Sequence, residues 1–291
     1  MVRKIRRLGV IFVFTLLVVA LVLWKSGALM KVSTFVSGDN KLPVPQISAG
    51  QAILIDGATG KVIYEKDADE KAYPASTTKI MTALLMLETL EKYDSPLNQK
   101  VTIPEEAVGT EGSSLYLEKG ERIRLEDLLY GLMLCSGNDA AVAVSLIASG
   151  DQEEFIKRMN DKAVDLHCKN THFVNPNGLF DENHYTTVRD MAIIAKAAME
   201  NEDFRKIVSE TSWEAKREKS DYEHFYNKNK TVRQFKGGSG VKIGYTKASG
   251  RTLVASATRN GREVICVVMC APNWFNDAYT LMEYGFKRLG E

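Results

Sequence analysis

The sequence Ser76-Thr77-Thr78-Lys79 opens an apolar run that continues from Ile80 to Leu90 and predicts a helix. On a helix, residues three apart lie on the same face, so we expect the hydroxyl of Ser76 and the amine of Lys79 to be neighbours. A hydroxyl beside an amine suits a nucleophile paired with its base. Because serine is also a common helix cap and lysine a common surface residue, the pattern needs support from elsewhere in the chain.

A second segment, Ser136-Gly137-Asn138, lies between two helix-like apolar stretches, Arg124 to Leu134 and Asp139 to Ala148. A short polar turn between buried helices can present a hydroxyl and an amide to a cleft. The alternative interpretation is a helix C-cap followed by an N-cap, because glycine and asparagine favour those positions.

A third segment, Val241-Lys242-Ile243-Gly244-Tyr245-Thr246, follows a glycine-rich turn at 237–240 and predicts an edge strand. Taken alone, it is also compatible with an ordinary strand that carries one solvated lysine. The order of the three segments along the chain makes them informative together.

The order S-x-x-K, S-x-N, K-x-G resembles that of the penicillin-binding proteins and the serine β-lactamases. The chain is most similar to one branch of them, the low-molecular-mass D-alanyl-D-alanine carboxypeptidases of peptidase family S11. The resemblance extends roughly from Ile47 to Leu289. It also includes the segments around and between the motifs, which are residues 73–82, 134–141, 170–179 and 184–192.

The resemblance implies an α/β (α+β) transpeptidase-like fold, in which N- and C-terminal strands form an antiparallel sheet and a mostly helical subdomain is inserted between them. It also implies a penicillin-sensitive serine hydrolase of cell-wall biogenesis, which removes the terminal D-Ala from peptidoglycan pentapeptide stems without a metal or cofactor. In that family pattern Ser76 is the acyl-ester nucleophile, Lys79 accepts its proton and Ser136 relays a proton to the leaving group. The residues implied to bind the stem peptide are Asn138, Lys242, Gly244, Tyr245 and Thr246.

One position departs from the family pattern, because the third motif is usually Lys-Thr-Gly and here reads Lys242-Ile243-Gly244. The family threonine helps to hold the terminal carboxylate of the substrate, whereas isoleucine has the β-branched shape but no hydrogen-bond donor. A lost hydrogen bond to a charged group costs about 1.5–3 kcal/mol. We therefore expect weaker turnover or altered specificity, and higher activity in an Ile243→Thr variant.

Three other kinds of function use the same motifs or part of them. A class A β-lactamase would need a deacylating glutamate in an E-x-x-x-N segment, and Asp181-Glu182-Asn183 has the wrong spacing for it. A DD-endopeptidase or a transpeptidase would act on cross-linked stems with the same residues. A low-activity muropeptide or β-lactam sensor is favoured by Ile243 alone.

The charge distribution separates the first 31 residues from the rest of the chain. Six of the 38 basic residues lie in residues 1–31, which carry no acidic residue, so residues 32–291 contain 32 basic and 37 acidic residues. A mildly acidic domain lacks the basic surface that nucleic-acid binding requires. The basic cluster before the apolar run from Leu8 to Trp24 predicts an export signal with its N-terminus in the cytoplasm.

These features divide the chain into an export segment at 1–31, a linker at 32–46 and a catalytic domain at 47–291. We expect an uncleaved signal anchor that holds the catalytic domain at the outer face of the cytoplasmic membrane. A cleaved signal peptide, which would release the domain to the cell wall, is the alternative. The oligomeric state stays open.

The four cysteines are Cys135, Cys168, Cys266 and Cys270, and they are predicted to be unpaired. Cys135 and Cys266 lie in strongly apolar runs, where a free thiol behaves as a small buried hydrophobe. No C-x-x-C or clustered histidine pattern indicates a metal site. The four scattered histidines are expected to be structural hydrogen-bonding residues.

The periodicity of the chain predicts its secondary structure in outline. Two strands at 52–56 and 61–65 form a hairpin, residues 76 to about 198 are mostly helical, and a final amphipathic helix runs from about Asn273 to Leu289. Three strands precede that helix, at 241–246, 251–258 and 263–270, and Asn260-Gly261 forms the turn between the last two.

Overall fold

A five-stranded antiparallel sheet forms the centre of the fold in the computed structural model, which describes residues 42–291. Residues Pro45–Glu291 make up one compact unit. The predicted export segment at 1–31 and most of the predicted linker at 32–46 lie outside the described residues. None of the helices within 42–291 has both the length and the apolar character needed to cross a membrane.

The sheet joins strands from both ends of the described chain in the order β2-β1-β9-β8-β7. β7 is therefore an edge strand, as the sequence predicted. The strands, in chain order, are β1 (Gln51–Asp56), β2 (Val62–Lys66), β3 (Lys100–Thr102), β4 (Arg122–Arg124), β5 (Ser212–Glu214), β6 (His224–Tyr226), β7 (Gly238–Thr246), β8 (Gly250–Arg259) and β9 (Arg262–Met269).

Within residues 42–291, eight α-helices accompany these strands, and most lie between β2 and β7 in the chain. They are α1 (Lys79–Lys92), α2 (Leu125–Tyr130), α3 (Asn138–Ser149), α4 (Gln152–Asp165), α5 (Val188–Glu200), α6 (Glu202–Ser209), α7 (Thr231–Gln234) and α8 (Trp274–Arg288). The antiparallel sheet with its inserted helical region confirms the predicted transpeptidase-like fold class.

Alternating side chains give the sheet two apolar faces, because successive residues of a strand point in opposite directions. In β1, Ile53 and Ile55 pack into the large cluster shared with the inserted helices. Ala52 and Leu54 pack into a second cluster that includes Leu281 of α8. The sheet is therefore buried between the inserted helices and the C-terminal helix.

Two small sheets, β3–β4 and β5–β6, were not predicted from the sequence. Their strands have three residues each, which is too short for an alternating pattern to be recognised. β7 also begins at Gly238, within the stretch that was predicted to be a turn.

Candidate active site

A short 3₁₀ turn, Ala75–Thr78, carries Ser76 and leads directly into α1. Ala75 has a φ of +49°, a left-handed conformation that is unusual for a residue with a side chain. The turn is fixed by the Thr77 hydroxyl, which donates to the Pro74 carbonyl at 2.7 Å, and by the Thr78 hydroxyl, which donates to the Ala75 carbonyl at 2.8 Å. Ser76 is thus held on a tight, internally bonded turn at the start of a buried helix.

Lys79 is fully buried beside Ser76, and its Nζ lies 3.0 Å from the Ser76 Oγ. The same nitrogen donates to the Asn138 Oδ1 at 2.7 Å and to the Asn177 carbonyl at 2.6 Å. Both oxygens are acceptors only, so each takes one N–H of Lys79. A neutral amine also has one lone pair. With both N–H groups bound to these oxygens, the lone pair points toward the Ser76 hydroxyl.

The electrostatic environment favours this neutral form of Lys79. Burial and the positive charges of Lys242 and Lys228 hold the pKa of Lys79 well below its usual 10.5, against an opposing contribution from Asp139. Burial and the charge of Lys228 likewise lower the pKa of Lys242 to about 7. The site therefore combines a hydroxyl with an amine whose neutral, proton-accepting form is favoured by its surroundings.

The second predicted segment forms the turn between α2 and α3. α2 continues as a π-helical turn, Gly131–Cys135, and Ser136 follows in a left-handed conformation with φ +67°. π-Helical turns often occur at functional sites, because they shift the side chains that follow them. Ser136 is buried in this turn, two residues before Asn138.

The Asn138 side chain bridges Lys79 and the loop at 111–117. Its Oδ1 accepts from Lys79, and its Nδ2 donates to the Glu111 carbonyl at 2.6 Å. The next residue, Asp139, is buried and accepts from the backbone N–H groups of Leu115 and Leu117. The amide of Asn138 is thereby fixed in orientation, and one N–H of its Nδ2 is left for a ligand.

The third predicted segment is the edge strand β7, which runs alongside the turn that carries Ser76. Gly244 faces this turn, and Thr252 of the neighbouring strand donates to the Pro74 carbonyl at 3.2 Å. Lys242 is only 1% exposed, and its Nζ donates to the Ile243 carbonyl at 3.2 Å. Lys242 is therefore buried next to the site, which excludes the alternative of a solvated strand lysine.

The other residues of β7 have different surroundings. The Ile243 side chain is partly buried and packs against the apolar cluster that includes its strand partner Leu253. Tyr245 is 65% exposed. The Thr246 hydroxyl donates to the Ser249 Oγ at 2.9 Å within the β7–β8 turn. The Thr246 oxygen has two lone pairs. One of them accepts from the Ser249 N–H, so the other remains available.

Lys228 belongs to the same site but was not identified from the sequence. Its Nζ donates to the Cys135 carbonyl at 2.7 Å, next to Ser136, and its charge lowers the pKa of both Lys79 and Lys242. Within residues 42–291, neither Lys228 nor Lys242 forms an ion pair. Two lysines without an ion-pair partner in this range, next to the Ser76–Lys79 pair, favour an anionic ligand. No local signal distinguishes Lys228 from an ordinary surface lysine.

The loop at 174–178 supplies a second feature that the sequence did not reveal. It presents the Asn177 carbonyl to Lys79, and the Thr82 hydroxyl of α1 donates to the Pro176 carbonyl at 2.6 Å. A backbone acceptor leaves no signal in residue type, so only the tertiary structure identifies it. This loop completes the environment of Lys79.

All four cysteines are free; Cys135, Cys168 and Cys266 are buried and Cys270 is exposed. The burial predicted for Cys135 and Cys266 is confirmed. In the part of the chain that the structure describes, no cluster of three or more histidine, cysteine or acidic residues is arranged to hold a metal ion.

Comparison with known families gives a match over most of the chain. The family model described as D-alanyl-D-alanine carboxypeptidase, peptidase S11, matches residues 39–273. Among curated proteins, D-alanyl-D-alanine carboxypeptidase DacF of Bacillus subtilis is 42% identical over 224 residues, which are 77% of this chain and 57% of DacF. D-Alanyl-D-alanine carboxypeptidase DacC of Escherichia coli is 33% identical over 87% of this chain and 65% of its own. The chain thus spans less than two thirds of the length of these relatives.

Among solved structures, a DD-transpeptidase and another D-alanyl-D-alanine carboxypeptidase superpose on this chain. The Streptomyces K15 DD-transpeptidase superposes with a TM-score of 0.77 at 33% identity, over 84% of this chain and all of that one. The D-alanyl-D-alanine carboxypeptidase DacD of Francisella tularensis has a TM-score of 0.76 at 25% identity, over 86% of this chain and 75% of its own.

Proposed function

The chain belongs to the D-alanyl-D-alanine carboxypeptidase family, peptidase S11, and on that premise we propose that it is a serine-type D-Ala-D-Ala carboxypeptidase of the cell wall. Its substrate is the pentapeptide stem of peptidoglycan, from which it removes the terminal D-Ala. The observation that carries this proposal is the 3.0 Å contact between the Ser76 Oγ and a Lys79 Nζ whose other two partners are fixed carbonyl oxygens.

In the acylation step the Ser76 Oγ attacks the carbonyl carbon of the penultimate D-Ala while Lys79 takes the hydroxyl proton. The backbone N–H groups of Ser76 and Tyr245 stabilise the resulting oxyanion. Ser136 relays a proton to the nitrogen of the leaving D-Ala as the peptide C–N bond breaks. Water then attacks the Ser76 ester and releases the tetrapeptide stem, so that one peptide bond is hydrolysed in each cycle.

The terminal carboxylate of the substrate binds between Lys242 and Lys228 in this proposal. Both are cations without an ion-pair partner within 42–291, and a carboxylate would compensate the cost of burying the Lys242 charge. Thr246 can turn its hydroxyl proton from the Ser249 Oγ to the carboxylate when the substrate binds, and Gly244 lets the substrate approach the strand. Asn138 uses the remaining N–H of its amide for the stem-peptide carbonyl.

β-Lactams present a reactive amide together with a carboxylate, so the same residues account for proposed penicillin sensitivity. Attack by Ser76 opens the lactam ring and forms an acyl-enzyme. The leaving nitrogen stays tethered to the acyl group, which slows its departure from the site.

Transfer of the acyl group to an amine is a second candidate reaction. It is favoured by the structural similarity to the Streptomyces K15 protein, which is named a DD-transpeptidase. The same residues would serve a DD-endopeptidase that acts on cross-linked stems. A muropeptide sensor would instead keep the acyl-enzyme and release product slowly, and the absent hydroxyl at Ile243 is the feature that favours it.

Export across the cytoplasmic membrane is part of the proposal, because peptidoglycan lies outside that membrane. The basic cluster followed by an apolar run within residues 1–31 supports an N-terminal signal anchor. Protease treatment of intact spheroplasts tests this topology, since an anchored external domain is digested and an internal one is protected. Digestion only after lysis would contradict export.

The activity is tested by measuring free D-Ala released from a diacyl-Lys-D-Ala-D-Ala peptide by the full-length protein in detergent. Wild type and a Ser209→Ala variant, which removes an exposed serine on α6, should release D-Ala, and Ser76→Ala should not. Release by all three proteins would contradict the role of Ser76. Acylation by a fluorescent penicillin without D-Ala release would favour the sensor, and dimer formation with an added amine acceptor would favour the transpeptidase.

A further inference from the structure

A buried imidazole connects the turn that carries Ser76 with the loop that orients Lys79. His184 is 2% exposed and lies between these two segments. Its Nδ1 is 3.0 Å from the backbone nitrogen of Val174, and its Nε2 is 2.8 Å from the Thr78 Oγ1.

The hydrogen bonds around His184 define one tautomer. The Val174 N–H can only donate, so Nδ1 must be the unprotonated acceptor and the ring proton must be on Nε2. Nε2–H therefore donates to the Thr78 Oγ1, whose own proton goes to the Ala75 carbonyl at 2.8 Å. Burial lowers the pKa of His184 to about 4, which keeps the ring neutral.

The chain of hydrogen bonds ends at the residue immediately before the nucleophile. Ala75 has the left-handed φ of +49°, and its carbonyl is enclosed on its other side by Gly178. A Cβ atom at Gly178 would lie 1.9 Å from the Ala75 oxygen, so the loop backbone and the Ser76 turn are in direct contact. The turn keeps its left-handed residue with two internal hydrogen bonds, from Thr77 and Thr78, and His184 holds the Thr78 hydroxyl in place from outside the turn.

The other end of this chain of hydrogen bonds, at Val174, fixes the loop at 174–178. Val174 begins this loop, and three residues later the Asn177 carbonyl accepts from the Lys79 Nζ at 2.6 Å. One imidazole thus ties together the main chain that sets the position of Ser76 and the acceptor that directs the lone pair of Lys79.

We propose that His184 is a positioning residue, whose single neutral tautomer holds the Ser76 hydroxyl in line with the Lys79 amine. This inference rests on the proposed function of Ser76 and Lys79. His184 does not touch the substrate in this role, and it does not exchange a proton during turnover. Because Lys242 and Lys228 bind the carboxylate independently, loss of His184 should slow the chemistry and leave substrate binding almost intact.

Three variants test this role. Glutamine can accept from Val174 with its Oε1 and donate to Thr78 with its Nε2, so His184→Gln should restore most of the function that His184→Leu loses. Thr78→Val keeps the volume of the side chain and removes only the hydroxyl that links His184 to Ala75. This variant therefore interrupts the same chain of hydrogen bonds at a second position, with less disruption of packing.

The rate of Ser76 acylation by a fluorescent penicillin is measured for each variant, together with kcat and KM for D-Ala release and the thermal unfolding midpoint. We expect a loss of about 100-fold in kcat and acylation rate for His184→Leu and Thr78→Val, with KM within about threefold of wild type. His184→Gln should recover to within about tenfold. A folded His184→Leu or Thr78→Val with wild-type acylation, or a His184→Gln as slow as His184→Leu, would overturn the proposal. If wild type is acylated but releases no D-Ala, the proposed carboxypeptidase activity fails while the acylation rates still test His184.

Discussion

The main chain at Gly244 approaches Ser76 so closely that a Cβ atom at position 244 would lie 2.9 Å from the Ser76 backbone nitrogen. The same atom would lie 2.5 Å from the Thr252 Oγ1 and 3.1 Å from the Ala75 Cβ. Cβ atoms essentially never lie within 3.0 Å of another heavy atom, so the first two of these contacts would force the surroundings to move. The third residue of the K-x-G motif is therefore a glycine because β7 lies directly against the turn that carries Ser76.

A Gly244→Ala substitution should separate β7 from Ser76 and reduce acylation by a fluorescent penicillin about 100-fold, since displacements of about 1 Å have effects of this size. The matched control is Gly261→Asn in the β8–β9 turn, where no heavy atom lies within 4 Å of the added Cβ and asparagine tolerates the positive φ. Wild-type acylation by a folded Gly244→Ala protein would show that the close approach is not required.

The pH dependence of kcat/KM should report the buried Lys242. Its pKa of about 7 means that the ammonium is lost as the pH rises through neutrality, so the attraction for a substrate carboxylate weakens on the alkaline side. We expect kcat/KM to fall by up to about tenfold per pH unit above about pH 7. The bound carboxylate raises the pKa of Lys242 in the complex, so kcat should fall only at higher pH.

A Lys228→Met variant checks this assignment. The charge of Lys228 lowers the pKa of Lys242, so its removal should move the alkaline limb of kcat/KM to higher pH. KM should rise at the same time, because one of the two cations for the carboxylate is missing. An alkaline limb that stays in place would show that another group titrates there.

An Ile243→Thr variant should gain kcat/KM of about tenfold or more on D-Ala-D-Ala peptides if the new hydroxyl reaches the carboxylate. Ile243 is only partly buried, so a hydroxyl there stays accessible to a ligand. Its apolar contacts would be lost, and the free energy of unfolding should fall by about 1–2 kcal/mol.

Ile243→Val is the matched control, because valine has the shape of threonine and no hydroxyl. It should lose stability without gaining activity. Equal kcat/KM for the threonine and valine variants would indicate that Thr246, or the two lysines, already satisfy the carboxylate.

The buried ion pair between Arg217 and Glu121 should contribute strongly to stability. Both side chains are 0% exposed, and Arg217 also donates to the carbonyls of Leu115 and Tyr116 in the loop that holds Asn138. Arg217→Met would leave Glu121 buried and uncompensated, so we expect the free energy of unfolding in urea to fall by about 3–5 kcal/mol.

Arg189→Met is the comparison for that measurement. Arg189 pairs with Glu65 and Asp69 at the surface, where an ion pair contributes about 0–1 kcal/mol because water screens it. Similar losses in the two variants would contradict the importance of burial for the Arg217–Glu121 pair.

Much of the candidate site could be predicted because its parts are local. The spacing of Ser76 and Lys79 on one helical turn, the polar turn at Ser136 and the strand around Lys242 each depend on residues close in sequence. The alternation of β1 records which of its faces are apolar, and the long apolar run of α1 records a helix that is buried on most sides. The observed hydrogen bond between Ser76 and Lys79 follows from that spacing, and the family resemblance of the ordered motifs is confirmed by the match over residues 39–273.

The rest of the site depends on contacts that no local pattern records. The Lys79 amine meets the Asn138 side chain 59 residues later and the Asn177 carbonyl 98 residues later. Lys228 looks like a surface lysine until the fold brings it to the turn at Cys135. Chain separation of this kind leaves no periodic signal, and a carbonyl acceptor is independent of residue type.

The sequence by itself determined the order of the motifs, the strands and the main helices, since these follow from the periodicity of neighbouring side chains. Only the tertiary structure decided which lysines are buried, which tautomer His184 adopts and which way the lone pair of Lys79 points. Burial sets the cost of a charge, and a hydrogen bond needs both of its partners in place. The burial of a side chain and the positions of its hydrogen-bond partners are set only after distant segments have packed together.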